Sequence, residues 1–263
     1  IYKKSKNVII FVLEAKMNFK NLLKDEFLSG RTVFDWAFMC FGLILQSIGI
    51  WYGFHTGNPD SIGLIISGIA GVVSVVLCSQ GKISFYIFGF IQLFTYVFCF
   101  SIPQHLHGET LENGMYFITM IYGLYVWFKN YKRDTKTESI EVKSKNLTWK
   151  GWVISLSVFV VGTIIYWQIL KNFRMPWSAE LDSQPLLDSV TSVPAYIAQV
   201  LMVLGNSASW FYWAILDIFS VVLAWRAGSY VMVAQFIFWT LNTFYGFYKW
   251  YKSAKYENYE KIE

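Results

Sequence analysis

The chain has 263 residues, of which 55% are hydrophobic, 20% aromatic and only 15% charged. A water-soluble domain of that length has no use for repeated uncharged runs of membrane-spanning length, because helices apolar on every side belong in lipid or in very large cores. The net charge of +5 does not point to nucleic acid either. Its Lys and Arg residues crowd into the tails and one connecting loop, beside the apolar runs.

In chain order, residues 1–32 read as a cytoplasmic N-terminal segment. The apolar stretch Val8–Leu13 before Met17 is too short to span a bilayer. Eight transmembrane helices are expected, at about 33–54, 60–79, 83–102, 113–131, 150–170, 187–205, 210–226 and 229–251, and residues 252–263 form a cytoplasmic tail. Breaks fall at Gly57-Asn58-Pro59, Gln80-Gly81, Pro103, Pro176, Pro185 and Gly228. With the N-terminus inside, only Lys171, Arg174 and Arg226 of the 22 Lys and Arg residues fall outside. The bias predicts both termini cytoplasmic. Cys40, Cys78 and Cys99 each lie inside a span and read as packing residues rather than as disulfide or zinc ligands.

The chain also repeats itself. A shift of 125 residues lays Ser84–Phe88 on Ser209–Trp213, Gln92 on Asp217 and Thr95 on Ser220. A shift of 123 lays Tyr116 on Trp239, Thr119 on Asn242, Gly123 on Gly246 and Trp127 on Trp250. Residues 60–131 form one three-helix repeat and 187–251 a second. The helix at 150–170 joins them, so both cross the membrane in the same direction, and the helix at 33–54 is an added peripheral element. Parallel repeats of this kind are a transporter architecture, with a substrate site near the midplane at the repeat interface.

Asp217 is the polar residue of greatest interest, because a carboxylate in mid-span costs several kcal/mol and normally faces a bundle interior or a watered cavity. Trp210, Trp213, Asp217 and Ser220 share one helical face, and Phe85, Phe88, Gln92 and Thr95 form the expected counterpart. Trp239 and Asn242 mirror Tyr116 and Thr119 on the third helices. Aromatic planes with a few directional polar groups suit a flat, partly polar heterocycle with hydroxyls, and a cationic ring gains more from Trp faces and from Asp217. Lipid or interhelical packing is the competing reading for each Trp, and interhelical hydrogen bonding for Asn242 and Gln92. Gln46, Gln199, Asn206 and Gln235 read as packing or gating groups. Catalytic signals are poor. His55, His105 and His107 are expected in exterior loops, the last two with Glu109 as a weak metal candidate, and no Gly-Lys-Ser/Thr phosphate loop is present. No enzyme activity and no cofactor are expected.

The stretch Trp210-Phe-Tyr-Trp213, with Ser220-Val, Gly228-Ser-Tyr230, Asn242, Gly246 and Trp250, resembles the second repeat of the PnuC nicotinamide riboside (vitamin B3) transporters. Lys82-Ile-Ser, Phe88-Gly89-Phe-Ile-Gln92 and Ile121-Tyr122-Gly123 are similar to the first. The resemblance covers about residues 60–251. It implies an all-α polytopic membrane protein with 3+1+3 SWEET-like parallel repeats and one extra N-terminal helix. It implies bacterial inner-membrane uptake of nicotinamide riboside by facilitated diffusion, a homotrimer in the lipid bilayer, and trapping by a cytoplasmic nicotinamide riboside kinase. No nucleic-acid partner is implied. The implied substrate-binding residues are Trp213, Asn242, Gln92, Asp217, Trp210, Phe88, Tyr116, Trp239 and Thr119. Similar transporters carry thiamine or riboflavin, and a membrane-embedded enzyme or scaffold is the rival class.

The charge bias makes a direct prediction. With the native cysteines replaced, a membrane-impermeant thiol reagent applied to intact cells labels Asn172→Cys and spares Ser139→Cys; the opposite pattern reverses the orientation.

Overall fold

The computed structural model describes residues 26–28, 31–129, 131–133, 140–142, 144–176 and 178–259. Most of the N-terminal segment and the last residues of the tail lie outside the described residues. Among the described residues, eight helices are numbered in chain order: α1 (Val33–His55), α2 (Ile62–Ser79), α3 (Phe85–Tyr96), α4 (His107–Lys129), α5 (Trp149–Leu170), α6 (Pro185–Val203), α7 (Ser209–Arg226) and α8 (Tyr230–Tyr259). Helix α3 continues directly into a π-helical turn, Val97–Ser101. By length and composition, α1, α2, α5 and α6 are each long and apolar enough to cross a membrane. The expected all-α chain carries one exception. The connection before α5 folds a short antiparallel hairpin in which Tyr131–Arg133 pairs with Ile140–Val142.

Among the described residues, five helix ends share one device. Gly57, Gly81, His105, Gly205 and Gly228 all have positive φ, and each is followed by a residue whose N–H reaches the carbonyl five residues back. This is the Schellman stop, in which a left-handed residue turns the chain so that orphan carbonyls at the helix end find donors. Lys82 N–H meets Leu77 O at 2.9 Å, and Asn206 N–H meets Leu201 O at 2.8 Å. Every bond of the α2–α3 turn therefore reappears 124 residues later in the α6–α7 turn. At the far ends of α3 and α7 the interval changes. Leu106 N–H meets Ser101 O at 2.9 Å and Ser229 N–H meets Ala224 O at 3.1 Å, a separation of 123. The π turn accounts for the difference, because closing on the fifth residue (Ile102 N–H to Val97 O, 3.1 Å) holds one extra residue within the helix.

These stops correct the sequence expectation in two places. The first hairpins match at 124 rather than 125, so Gly89, not Phe88, corresponds to Trp213, and Leu93, not Gln92, corresponds to Asp217. Helix α4 begins at His107 rather than 113, because Asp182 caps it. The Asp182 carboxylate accepts from His107 N–H at 3.0 Å and Gly108 N–H at 3.4 Å. Asp60 serves α8 in the same way, accepting from Val231 N–H at 2.9 Å and Ser229 Oγ at 2.6 Å. An acidic group on exposed N–H groups at a helix start is worth roughly 0.5–2 kcal/mol. His107 and Glu109 are consequently buried, not in an exposed loop.

Packing crosses between the two halves. Helix α2 lies against α8, and α6 against α4, while α2 pairs with α3 and α6 with α7. Helix α1 docks along α8 through a stripe of small residues. A Cβ on Gly42 would meet the Phe238 ring at 2.7 Å, and one on Gly49 would meet Tyr230 O at 2.7 Å. Below that stripe, buried Asp35 accepts a hydrogen bond from Tyr245 and an ion pair from Lys249 at 3.3 Å. Helix α5 touches α6 and leaves most of its surface outside, with Ile154, Val158, Val161 and Ile165 all exposed. Exposed branched apolar residues at helical spacing fit a lipid-facing helix.

His105 is the one described non-glycine residue at a left-handed stop. His105→Gly is expected to raise stability by about 1 kcal/mol, because a Cβ in that conformation costs roughly that much. Thermal unfolding in detergent measures it. An unchanged or lower midpoint contradicts the assignment.

Candidate substrate cavity

The six helices of the two halves enclose a cavity with about 1040 Å³ of empty space, part of it open to solvent. Its wall is mostly aromatic and aliphatic. Helix α7 contributes Trp210, Trp213, Leu216, Asp217 and Ser220. At the interval of 124 these fall on Tyr86, Gly89, Gln92, Leu93 and Tyr96 of α3, all of which line the cavity as well. Two helices with matched turns must present the same face inward, since each residue advances the helix by about 100°. The match is geometric rather than chemical: a glycine stands in one half where Trp213 stands in the other. A Cβ on Gly89 would meet Met120 Cε at 2.9 Å and Ser74 Oγ at 3.2 Å, so α3 packs closely on α2 and α4 at that position.

Six of the nine expected residues line the cavity: Trp213, Trp210, Asp217, Gln92, Tyr116 and Trp239. The Tyr116 and Trp213 rings approach to 5.7 Å between centroids at 55°. Phe88 does not line it and packs edge-on against Phe27 at 6.4 Å. The one-residue slip in register turns Phe88 off the inward face. Asn242 is fully buried but outside the wall, and its Nδ2 donates to Val75 O at 3.1 Å. Thr119 accepts from Gln199 Nε2 at 2.9 Å, and Gln199 reaches the wall in its place. These two bonds correspond across the halves, each tying the third helix of one half to the first helix of the other.

The wall includes residues that sequence reasoning did not assign to it. Glu109, Glu112 and Asn113 come from the first turns of α4, and the first two lie in a stretch expected to be loop, where Glu109 read only as a weak metal candidate. The break at Pro103 was the one hint in the sequence that α4 starts earlier, and the Asp182 cap that fixes its start is a contact visible only in the fold. Tyr96 donates to Glu109, and Tyr116 donates to Glu112 Oε1 at 2.5 Å. Behind Glu109, buried Asp188 accepts from Gly108 N–H at 2.7 Å.

Many polar atoms of this wall are unmatched. Glu112 Oε2, Asp217 Oδ1, Ser220 Oγ and the indole N–H groups of Trp210, Trp213 and Trp239 are buried without hydrogen-bond partners among the described residues. An unmet buried polar group costs about 1–3 kcal/mol, so a cluster facing one cavity needs an explanation. A bound solute with donors, acceptors and a flat face supplies one. The lining holds three carboxylates and no Lys, Arg or His. Among the described residues no three His, Cys, Asp or Glu side chains are placed to hold a metal ion.

Asn242 and Trp213 are expected to separate in mutagenesis. Asn242→Ala removes an interhelical bond worth about 1 kcal/mol and lowers the unfolding midpoint. Trp213→Ala enlarges a cavity already present and lowers the midpoint less. Equal losses would place Trp213 in the structural core instead.

The family model described as "nicotinamide mononucleotide transporter" matches residues 61–252. The nicotinamide riboside transporter PnuC of Haemophilus influenzae is 34% identical over 226 residues, which is 86% of this chain and 92% of that protein. The protein of the same name from Neisseria mucosa is 30% identical over 232 residues, covering 85% and 83%. The Escherichia coli K12 protein of that name is 29% identical over 194 residues, covering 66% and 79%. The crystal structure of a vitamin B3 transporter PnuC superposes with a TM-score of 0.74 at 29% identity, over 89% of this chain and 97% of that one. On sequence and fold together, the chain belongs to the PnuC family of membrane transporters.

Proposed function

We propose that the protein carries nicotinamide riboside across the bacterial inner membrane by facilitated diffusion, with the central cavity as its binding site. The observation that carries the substrate is the charge of the cavity wall: Glu109, Glu112 and Asp217 among aromatic rings, and no basic side chain. A phosphate needs Arg, Lys or a helix start aimed at it, so the wall suits the cationic riboside and disfavours the mononucleotide of the family description. The names of the relatives from Haemophilus and Neisseria support the same choice.

In this reading all eight helices span the bilayer with both termini cytoplasmic, in a 3+1+3 SWEET-like arrangement with α1 added. The hydrogen-bonded turns that repeat at 124 and then 123 residues support two parallel repeats, α2–α4 and α6–α8. Rocking of one repeat against the other exposes the site to each side in turn. The Trp213 and Tyr116 rings, in contact with each other, offer the pyridinium ring a joint aromatic surface, with Trp210 and Trp239 closing the ends. Gln92, Asp217 and the unmet indole N–H groups take the amide and ribose hydroxyls. Asn242 and Thr119 act one layer back, by fixing α8 on α2 and α4 on α6. Phosphorylation by a cytoplasmic kinase traps the product, and the working unit is a homotrimer.

Purified protein in proteoliposomes tests this. Labelled nicotinamide riboside is expected to equilibrate without an ion gradient, and nicotinamide mononucleotide to stay outside. Trp213→Ala is expected to weaken riboside binding by at least about tenfold, the scale of a lost aromatic ring contact with a desolvated cation. Uptake of thiamine or riboflavin in place of the riboside overturns the substrate. Acceleration by a proton gradient overturns facilitated diffusion.

A further inference from the structure

A second property of the cavity concerns how it tells one flat heterocycle from another. Glu112 and Asp217 are only 3% and 1% exposed, and each keeps one carboxylate oxygen without a partner. They come from different halves, Glu112 from α4 and Asp217 from α7, and both border the space framed by Tyr116 and Trp213. Tyr116 links the two features, since its hydroxyl donates to Glu112 while its ring faces Trp213. The aromatic cage and the carboxylates therefore act on the same volume.

No basic residue of the wall answers these charges. A buried carboxylate lacking a counter-charge is strongly unfavourable, whereas one beside a cation in a low-dielectric cavity is strongly favourable. Asn or Gln would serve as well for hydrogen-bonding an amide or a ribose. What a carboxylate adds is charge.

We infer that Glu112 and Asp217 are specificity-determining residues that read the fixed positive charge of an aromatic heterocycle, so that the cavity takes N-substituted pyridinium-type cations and rejects their uncharged isosteres. The inference rests on the transport reading above and adds the basis of selection to it. Aromatic faces alone bind both forms, because only the charge-dependent part of the ring contact is lost when the cation is neutralised. The carboxylates convert that modest preference into discrimination.

The test compares two ligands of nearly equal shape on purified full-length protein: nicotinamide riboside, and its 1,4-dihydropyridine form, which keeps the amide and the ribose and carries no ring charge. Binding is followed by calorimetry. The wild-type protein is expected to favour the pyridinium form by at least about tenfold. In Glu112→Gln combined with Asp217→Asn, which keep size and hydrogen-bonding capacity, the ratio is expected to fall towards one while the dihydro form still binds. That retained binding also reports an intact cavity. A double variant that keeps the wild-type ratio overturns the inference, as does a wild-type protein that binds both forms equally. Loss of both forms in the same proportion assigns the carboxylates to packing and overturns it too. A wild-type protein that binds neither form removes the nicotinamide riboside reading itself, and the inference with it.

Discussion

In an apolar solvent the backbone can satisfy its N–H and C=O groups only within the chain, and the places where helices are allowed to stop govern the rest of this molecule. Five left-handed residues, each closing the helix before it with a bond to the carbonyl five residues back, decide where the segments turn. Two acidic caps, Asp60 and Asp182, then decide where α8 and α4 begin. Because these stops recur at fixed intervals, the two halves present corresponding faces to one another. The cavity is the space between those faces.

One residue of slack had to be accommodated. The π turn Val97–Ser101 takes it up within a hydrogen-bonded helix, where a loop would expose unpaired backbone. The turn also ends the inward face of α3 at Tyr96, whose hydroxyl reaches Glu109 at the start of α4. The break in register and the acidic end of the cavity are thus neighbours in space as well as in sequence.

The halves agree in shape and differ in chemistry. Trp213 has Gly89 as its counterpart and Asp217 has Leu93, so corresponding positions of the wall differ in size and in charge. Bonds that hold the frame, Asn242 to Val75 and Gln199 to Thr119, stay paired across the halves. Symmetry is kept where helices pack, and given up along the cavity wall.

Much of this was legible in the residues. Apolar runs bounded by Gly and Pro marked the helices, and the Trp-x-x-Trp face with Asp217 marked the wall, because a polar group in an apolar run has few tolerable places to go. Residue type and spacing could not supply the register between halves, since aromatic helices align almost as well one residue off. That slip of about 100° is what misplaced Phe88 and paired Gln92 with Asp217. Nor could they place Glu109 and Glu112, whose polar stretch looks like a loop until Asp182, 70 residues or more away in sequence, caps it into a helix. Composition and pattern by themselves determined a helical membrane chain and where most of its apolar runs break. Only the tertiary structure decided which faces meet, because that depends on bonds between residues far apart in the chain.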